Sequence, residues 1–262
     1  MHAVGRFARE RARTRSLGVQ ETTCFRALRA AQYYGQALLF VLGSDDPGSE
    51  EQLYKAGRGA WVCGLCDPAP VTANVPCRKT PLPVRFFRPD TSGERRPTVI
   101  LTNGSDGQDV DMWTYGVSAA LARGWNALVY DAPGQGQLLF VGQVVFTPRW
   151  ETVVTPLVDR LVARPPGRDT DKIASTGLSM GGNLAPRAAA FESRIAALVA
   201  MPGCLSPWLG FPPELWKIVT PDKEKTNAIQ GLASSGVVLR EGPLPSLPSG
   251  RRSTGPRAGT GR

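Results

Sequence analysis

The run Gly177-Leu178-Ser179-Met180-Gly181-Gly182 stands between a strand-like stretch and a helix-like one. A serine can attack a carbonyl carbon only if its hydroxyl is held clear of the surrounding backbone. A tight strand-to-helix turn achieves this, and small residues two positions to either side let the chain make the turn without a clash. Ser179 is therefore the candidate nucleophile. The helix that begins after it aims free amide hydrogens at the reacting centre, so the Met180 amide is a candidate donor to a developing oxyanion. A second donor is expected from Thr102-Asn103-Gly104-Ser105-Asp106-Gly107, directly after the first strong strand: the Ser105 amide or, alternatively, the Asp106 amide. A third loop, Tyr130-Asp131-Ala132-Pro133-Gly134-Gln135-Gly136, ends the next strand, and Asp131 reads as a turn or cap residue. Each motif alone also fits a plain turn rich in Gly, Asn and Asp. All three fall at the carboxyl ends of strands, where open α/β sheets bind ligands.

A serine hydroxyl is a weak nucleophile at neutral pH and needs a base held in fixed geometry. The one histidine of the chain is His2, in an Arg-rich start upstream of every strand-like segment. The acids after Ser179 are Glu192, Glu214, Asp222, Glu224 and Glu241, and none follows a recognisable further strand. Negligible turnover is the expectation for this chain.

The elements that must position these residues follow from periodicity. Apolar residues at helical spacing predict a helix over Thr23 to Leu42, and a second from Ser49 to about Trp61, with Ser49 as its cap and Glu50 and Glu51 at its positive end. Prolines at 68, 70, 76, 81 and 83 make residues 67–83 a connector, with an edge strand at Val84 to Arg88. From Pro97 short apolar runs alternate with helical segments, the order of a mostly parallel sheet flanked by helices. Strands are expected at Thr98 to Thr102, Asn126 to Tyr130, Ile173 to Thr176 and Ile195 to Ala200. Helices are expected at Val110 to Ala122, Arg149 to Ala163 and Met180 to Phe191, the second capped by Thr147 with Pro148 in its first turn. The division expected is a basic disordered start (1–22), a helical lead-in or cap (23–66), a partial α/β domain (67–230) and a low-complexity disordered tail (231–262).

The formal charge of +9 is concentrated at the ends: residues 1–23 contribute +3 and residues 232–262 contribute +4. Neither end interleaves aromatics that could stack on bases, so no nucleic-acid partner is expected. No apolar run is long enough to span a bilayer and no export signal is legible, so no membrane partner and a cytoplasmic location are expected. The five cysteines are read as reduced, and Cys63-Gly-Leu-Cys66 lacks the further ligands of a structural zinc site.

From about Ala27 to Gln230 the chain resembles the bacterial α/β-hydrolases that carry an N-terminal helical segment. These include enzymes related to 2,6-dihydroxypseudooxynicotine hydrolase and, more distantly, acyl-peptidase-like serine hydrolases. The resemblance rests on Tyr33-Tyr34, Phe40 to Gly43, Asn103 to Asp111, Asp131 to Gly136, Ser179 to Gly182 and Pro186 to Glu192. It implies an α/β-hydrolase fold, Ser179 as nucleophile and an oxyanion hole from the amides near Ser105 and Met180. It also implies hydrolysis of an ester, amide or carbon–carbon bond next to a carbonyl in a small-molecule substrate, with no cofactor. The pattern departs from the family after Ile195 to Ala200, where the final strands and the acid and base that follow them are missing. The expectation is a truncated or frameshifted copy whose unpaired sheet edge favours a homo-oligomer or aggregation. A non-catalytic binding protein using the same cleft is the alternative.

Overall fold

The computed structural model describes residues 17–41, 44–64, 68–78, 80–163 and 167–201. Its centre is a six-stranded sheet in the order β1-β2-β4-β3-β5-β6. The strands are β1 (Val71–Val75), β2 (Leu82–Phe87), β3 (Arg96–Thr102), β4 (Asn126–Tyr130), β5 (Arg168–Leu178) and β6 (Ile195–Met201). β1 pairs with β2 and β2 with β4 antiparallel, whereas β4, β3, β5 and β6 run parallel.

Successive residues of a strand point to opposite faces, so each strand feeds two cores. Ile100, Leu128, Phe86 and Val84 face one way, onto α6 (Glu151–Ala163) and α7 (Gly181–Phe191), where Leu157, Val158, Leu184 and Ala188 meet them. Leu101, Val129, Ala127 and Phe87 face the other way. They pack on α1 (Leu17–Phe40), α2 (Glu50–Gly64) and a helix that starts as α3 (Asp109–Met112), widens into a π-turn at Trp113–Val117 and ends as α4 (Ser118–Ala122). Trp61, Phe87 and Trp113 close this second core with ring centroids 6.0–6.1 Å apart. Every residue of β4 is buried, as expected of a strand covered on both faces.

Several boundaries differ from the sequence expectations. α1 begins at Leu17 rather than Thr23, inside the stretch expected to be a disordered start. Once a helix is nucleated by its packed turns, extending it through residues such as Gln20 and Glu21 is easy. Ser49 closes a 3-10 turn, and its hydroxyl donates to the Asp46 carbonyl (2.9 Å). The expected connector contains β1, because prolines at 70 and 76 flank an edge strand without removing a ladder donor from it. α6 is assigned from Glu151, and Thr147 Oγ1 accepts from the Arg149 amide at 3.3 Å, just outside the helix. A short α5 (Gly136–Phe140), absent from the expected set, follows the third loop. The expected tail, His2, Cys66, Cys204 and the acids Glu214, Asp222, Glu224 and Glu241 lie outside the described residues. Among the described residues no helix is long and apolar enough to cross a membrane.

Candidate active site

Ser179 occupies the turn from β5 to α7 and has φ +55°. A left-handed backbone is rare for a residue with a Cβ and persists only where its surroundings enforce it. Here three close approaches do so. A Cβ at Gly177 would collide with the Gly181 carbonyl, and one at Gly181 would collide with the carbonyls of Thr102 and Asn103. The Ser179 amide donates to the Met201 carbonyl of β6 (2.7 Å). The serine side chain stays exposed at the sheet rim.

Met180 follows at φ −56° as the N-cap of α7, and its carbonyl accepts from Leu184 at 3.0 Å. In the first turn of a helix the amides find no intrahelical acceptor, so the Met180 amide sits where an anion would be met. On the other side stands the loop after β3. A Cβ built on Gly104 would lie 3.1 Å from Ser179 Cβ and 3.5 Å from its Oγ, so this loop passes directly beside the serine. The Gly104 amide is already engaged by Asn103 Oδ1 (2.8 Å). Ser105, next along, is half-buried and its hydroxyl donates to Asp106 Oδ2 (3.0 Å), while the Asp106 carbonyl accepts from Gln108 Nε2 (3.3 Å).

The base of the loop is anchored from below. Thr102 Oγ1 and the Tyr130 hydroxyl are hydrogen-bonded (2.8 Å), and Trp150 Nε1 donates to the same hydroxyl (3.1 Å). Burial of this phenol pushes its pKa up to about 12, so it remains a neutral strut at any ordinary pH. From the third loop, Gln135 Nε2 donates to the Asn103 and Gly104 carbonyls (2.7 and 2.9 Å). Gln135 is not among the candidate site residues of the sequence; it stands between two glycines that both adopt positive φ, Gly134 and Gly136.

Asp131 accepts from the Tyr54 hydroxyl (3.0 Å), from Arg58 (3.3 Å) and from the Gln137 amide (3.2 Å), so it ties α2 to the third loop. Burial, and secondarily the Asp131 charge, raises the Tyr54 phenol well above its ordinary range. Arg85 of β2 and Asp109 of α3 form a second buried ion pair beneath α2. Glu192, the acid after Ser179 that lies within the described residues, sits at the far end of α7, about 16 Å of helix away for 11 residues. It pairs there with Arg194 and stands away from the rim that carries Ser179.

The sheet and its flanking helices superpose on solved structures. The structure of 2,6-dihydroxy-pseudo-oxynicotine hydrolase superposes with TM-score 0.66 at 23% identity, covering 89% of this chain and 66% of that one. AbyA5 follows with TM-score 0.56 at 20% identity, over 83% of this chain and 60% of that one. By sequence, the 20-hydroxy-prefusarin hydrolase of Gibberella moniliformis is 30% identical over 201 residues, 72% of this chain and 47% of the relative. Hydrolase acrC of Aspergillus aculeatus is 29% identical over 198 residues, 68% of this chain and 46% of that protein. The chain has the α/β-hydrolase fold. No family model matches it. These curated relatives are fungal, whereas the sequence resemblance pointed to bacterial members, and the chain spans about half their length.

Proposed function

We propose that this α/β-hydrolase chain carries the acyl-accepting half of a serine hydrolase, acting on an ester, amide or carbon–carbon bond beside a carbonyl in a small molecule. Ser179 is the nucleophile, and the Met180 amide is one oxyanion donor. The Ser105 amide is the second in preference to that of Asp106, because Ser105 directly follows Gly104, which borders the serine. The observation that carries the reading is the left-handed Ser179 at φ +55°, exposed on a turn whose neighbours leave no room for side chains. Strain of this kind clusters at sites where geometry serves function.

The histidine of the sequence is His2, and among the described residues no base stands on a loop after β6, where this fold places one. Turnover is accordingly negligible: an oxyanion hole and binding alone leave roughly 10³ to 10⁴-fold acceleration over water. The same shortage favours a second reading, a non-catalytic protein that binds a carbonyl compound in the cleft. Hydrolysis of an activated aryl ester tests the pair. A slow rate that disappears in Ser179→Ala supports the hydrolase, and an identical rate in the variant rules it out.

A further inference from the structure

We infer that Gln135 is the positioning residue that sets the direction of the Ser105 amide, an inference that rests on the oxyanion role proposed above. Gln135 is 2% exposed, and its Nε2 reaches the carbonyls of two consecutive residues, Asn103 at 2.7 Å and Gly104 at 2.9 Å. Both partners are acceptors, so the amide can face them only with its NH₂ end. A trans peptide is planar and its C=O and N–H point in opposite directions. Holding the Gly104 carbonyl toward Gln135 therefore turns the Ser105 N–H the other way. Holding the Asn103 carbonyl likewise fixes the Gly104 N–H, which is engaged by Asn103 Oδ1. Of these two linked amides, that of Ser105 is left for a ligand.

Gln135 is itself bolted in place. Its backbone is extended, at φ −130° and ψ 150°, between the left-handed Gly134 (φ +84°) and Gly136 (φ +45°). Its N–H donates to the Ala132 carbonyl (2.8 Å), its own carbonyl accepts from Leu139 (3.1 Å), and the Gly134 amide is held by Val144 (2.8 Å). A Cβ at Gly136 would collide with the Asp131 carboxylate, so the turn and the Asp131 bonds to Tyr54 and Arg58 form one packed unit. Through it the helical lead-in supports the loop beside Ser179.

The test uses the full chain and reads acetylation of Ser179 by p-nitrophenyl acetate as a mass-resolved adduct, with imidazole supplied as external base. Gln135→Met removes both donors, and misdirection of an amide by about an ångström is expected to slow acetylation roughly a hundredfold. Hydrogen exchange across residues 103–107 should rise about tenfold while β3 is unchanged. Gln135→Glu is the control against simple misfolding. Ionised, the introduced carboxylate has no donor for the two carbonyls; protonated, it has one. Its rate relative to the natural chain at each pH should therefore recover as pH falls, whereas the Gln135→Met ratio stays flat. Acetylation of Gln135→Met at the natural rate, or a pH-independent Gln135→Glu ratio, overturns the inference alone. Absence of any Ser179 adduct in the natural chain overturns the proposed function and the role of Gln135 with it.

Discussion

At the scale of residues, the site is made by what is missing as much as by what is present. Gly104 is needed for space: an added Cβ at 3.1 Å from Ser179 Cβ and 3.2 Å from the Leu178 carbonyl would be tighter than most packed Cβ contacts, so a neighbour would have to give way. Gly104→Ala should push the loop away by a few tenths of an ångström. The expected result is about tenfold slower acetylation of Ser179 with a stability loss of about 1 kcal/mol or less. An unchanged adduct rate would mean that the loop after β3 does not border the reacting centre. The tight turn through Gly177 and Ser179 was legible in the sequence because it is fixed by local sterics, a Cβ at Gly177 meeting the Gly181 carbonyl. Gln135 was not, because its partners lie 32 and 31 residues away in sequence and a lone glutamine carries no periodicity that points to them.

At the scale of elements, the parallel strands were readable from their apolar runs, and the helices between them from apolar spacing. β1 was hidden among prolines, and α5 was too short to show a period. The start of α1 was obscured by Arg-rich composition that helices tolerate. What anchors the β5–α7–β6 unit at its lower end is Glu192, which accepts from Arg194 through Nε (2.7 Å), Nη2 (2.6 Å) and the backbone amide (3.2 Å). These hydrogen bonds, those from the Arg194 side chain foremost, hold the Glu192 carboxyl below the usual carboxylate range. A depressed folded pKa contributes stability that is present above the unfolded value of about 4.3 and is lost as pH falls through the folded value. Glu192→Gln should therefore be less stable than the natural chain at pH 7, by on the order of 1 kcal/mol because Arg194 is partly exposed. The difference in thermal midpoint should shrink as pH drops below about 4. A difference that is constant with pH would show that the carboxylate charge contributes nothing there.

At the scale of the whole molecule, the sheet is well covered on both faces except at one side. β6, Ile-Ala-Ala-Leu-Val-Ala-Met, is the last strand of the sheet order and is largely exposed; Val199 is 55% exposed. Among the described residues nothing pairs with its outer edge. A charge-free apolar edge strand is a template for another chain. The expected behaviour is concentration-dependent self-association in sedimentation velocity, weakened by Val199→Lys, which places a charge on the edge. A monomer at every concentration with a sharp unfolding transition would mean that the edge is covered within the chain. The fold thus supplies an exposed serine on a strained turn and a braced loop beside it, while no histidine lies among the described residues.

The proposed nucleophilic role of Ser179, with no histidine among the described residues to activate it, is tested most directly by following the Ser179 adduct from p-nitrophenyl acetate with and without added imidazole. The account predicts slow acetylation that imidazole accelerates and Ser179→Ala abolishes. Acetylation confined to other residues, with no Ser179 adduct even at high imidazole, would contradict it.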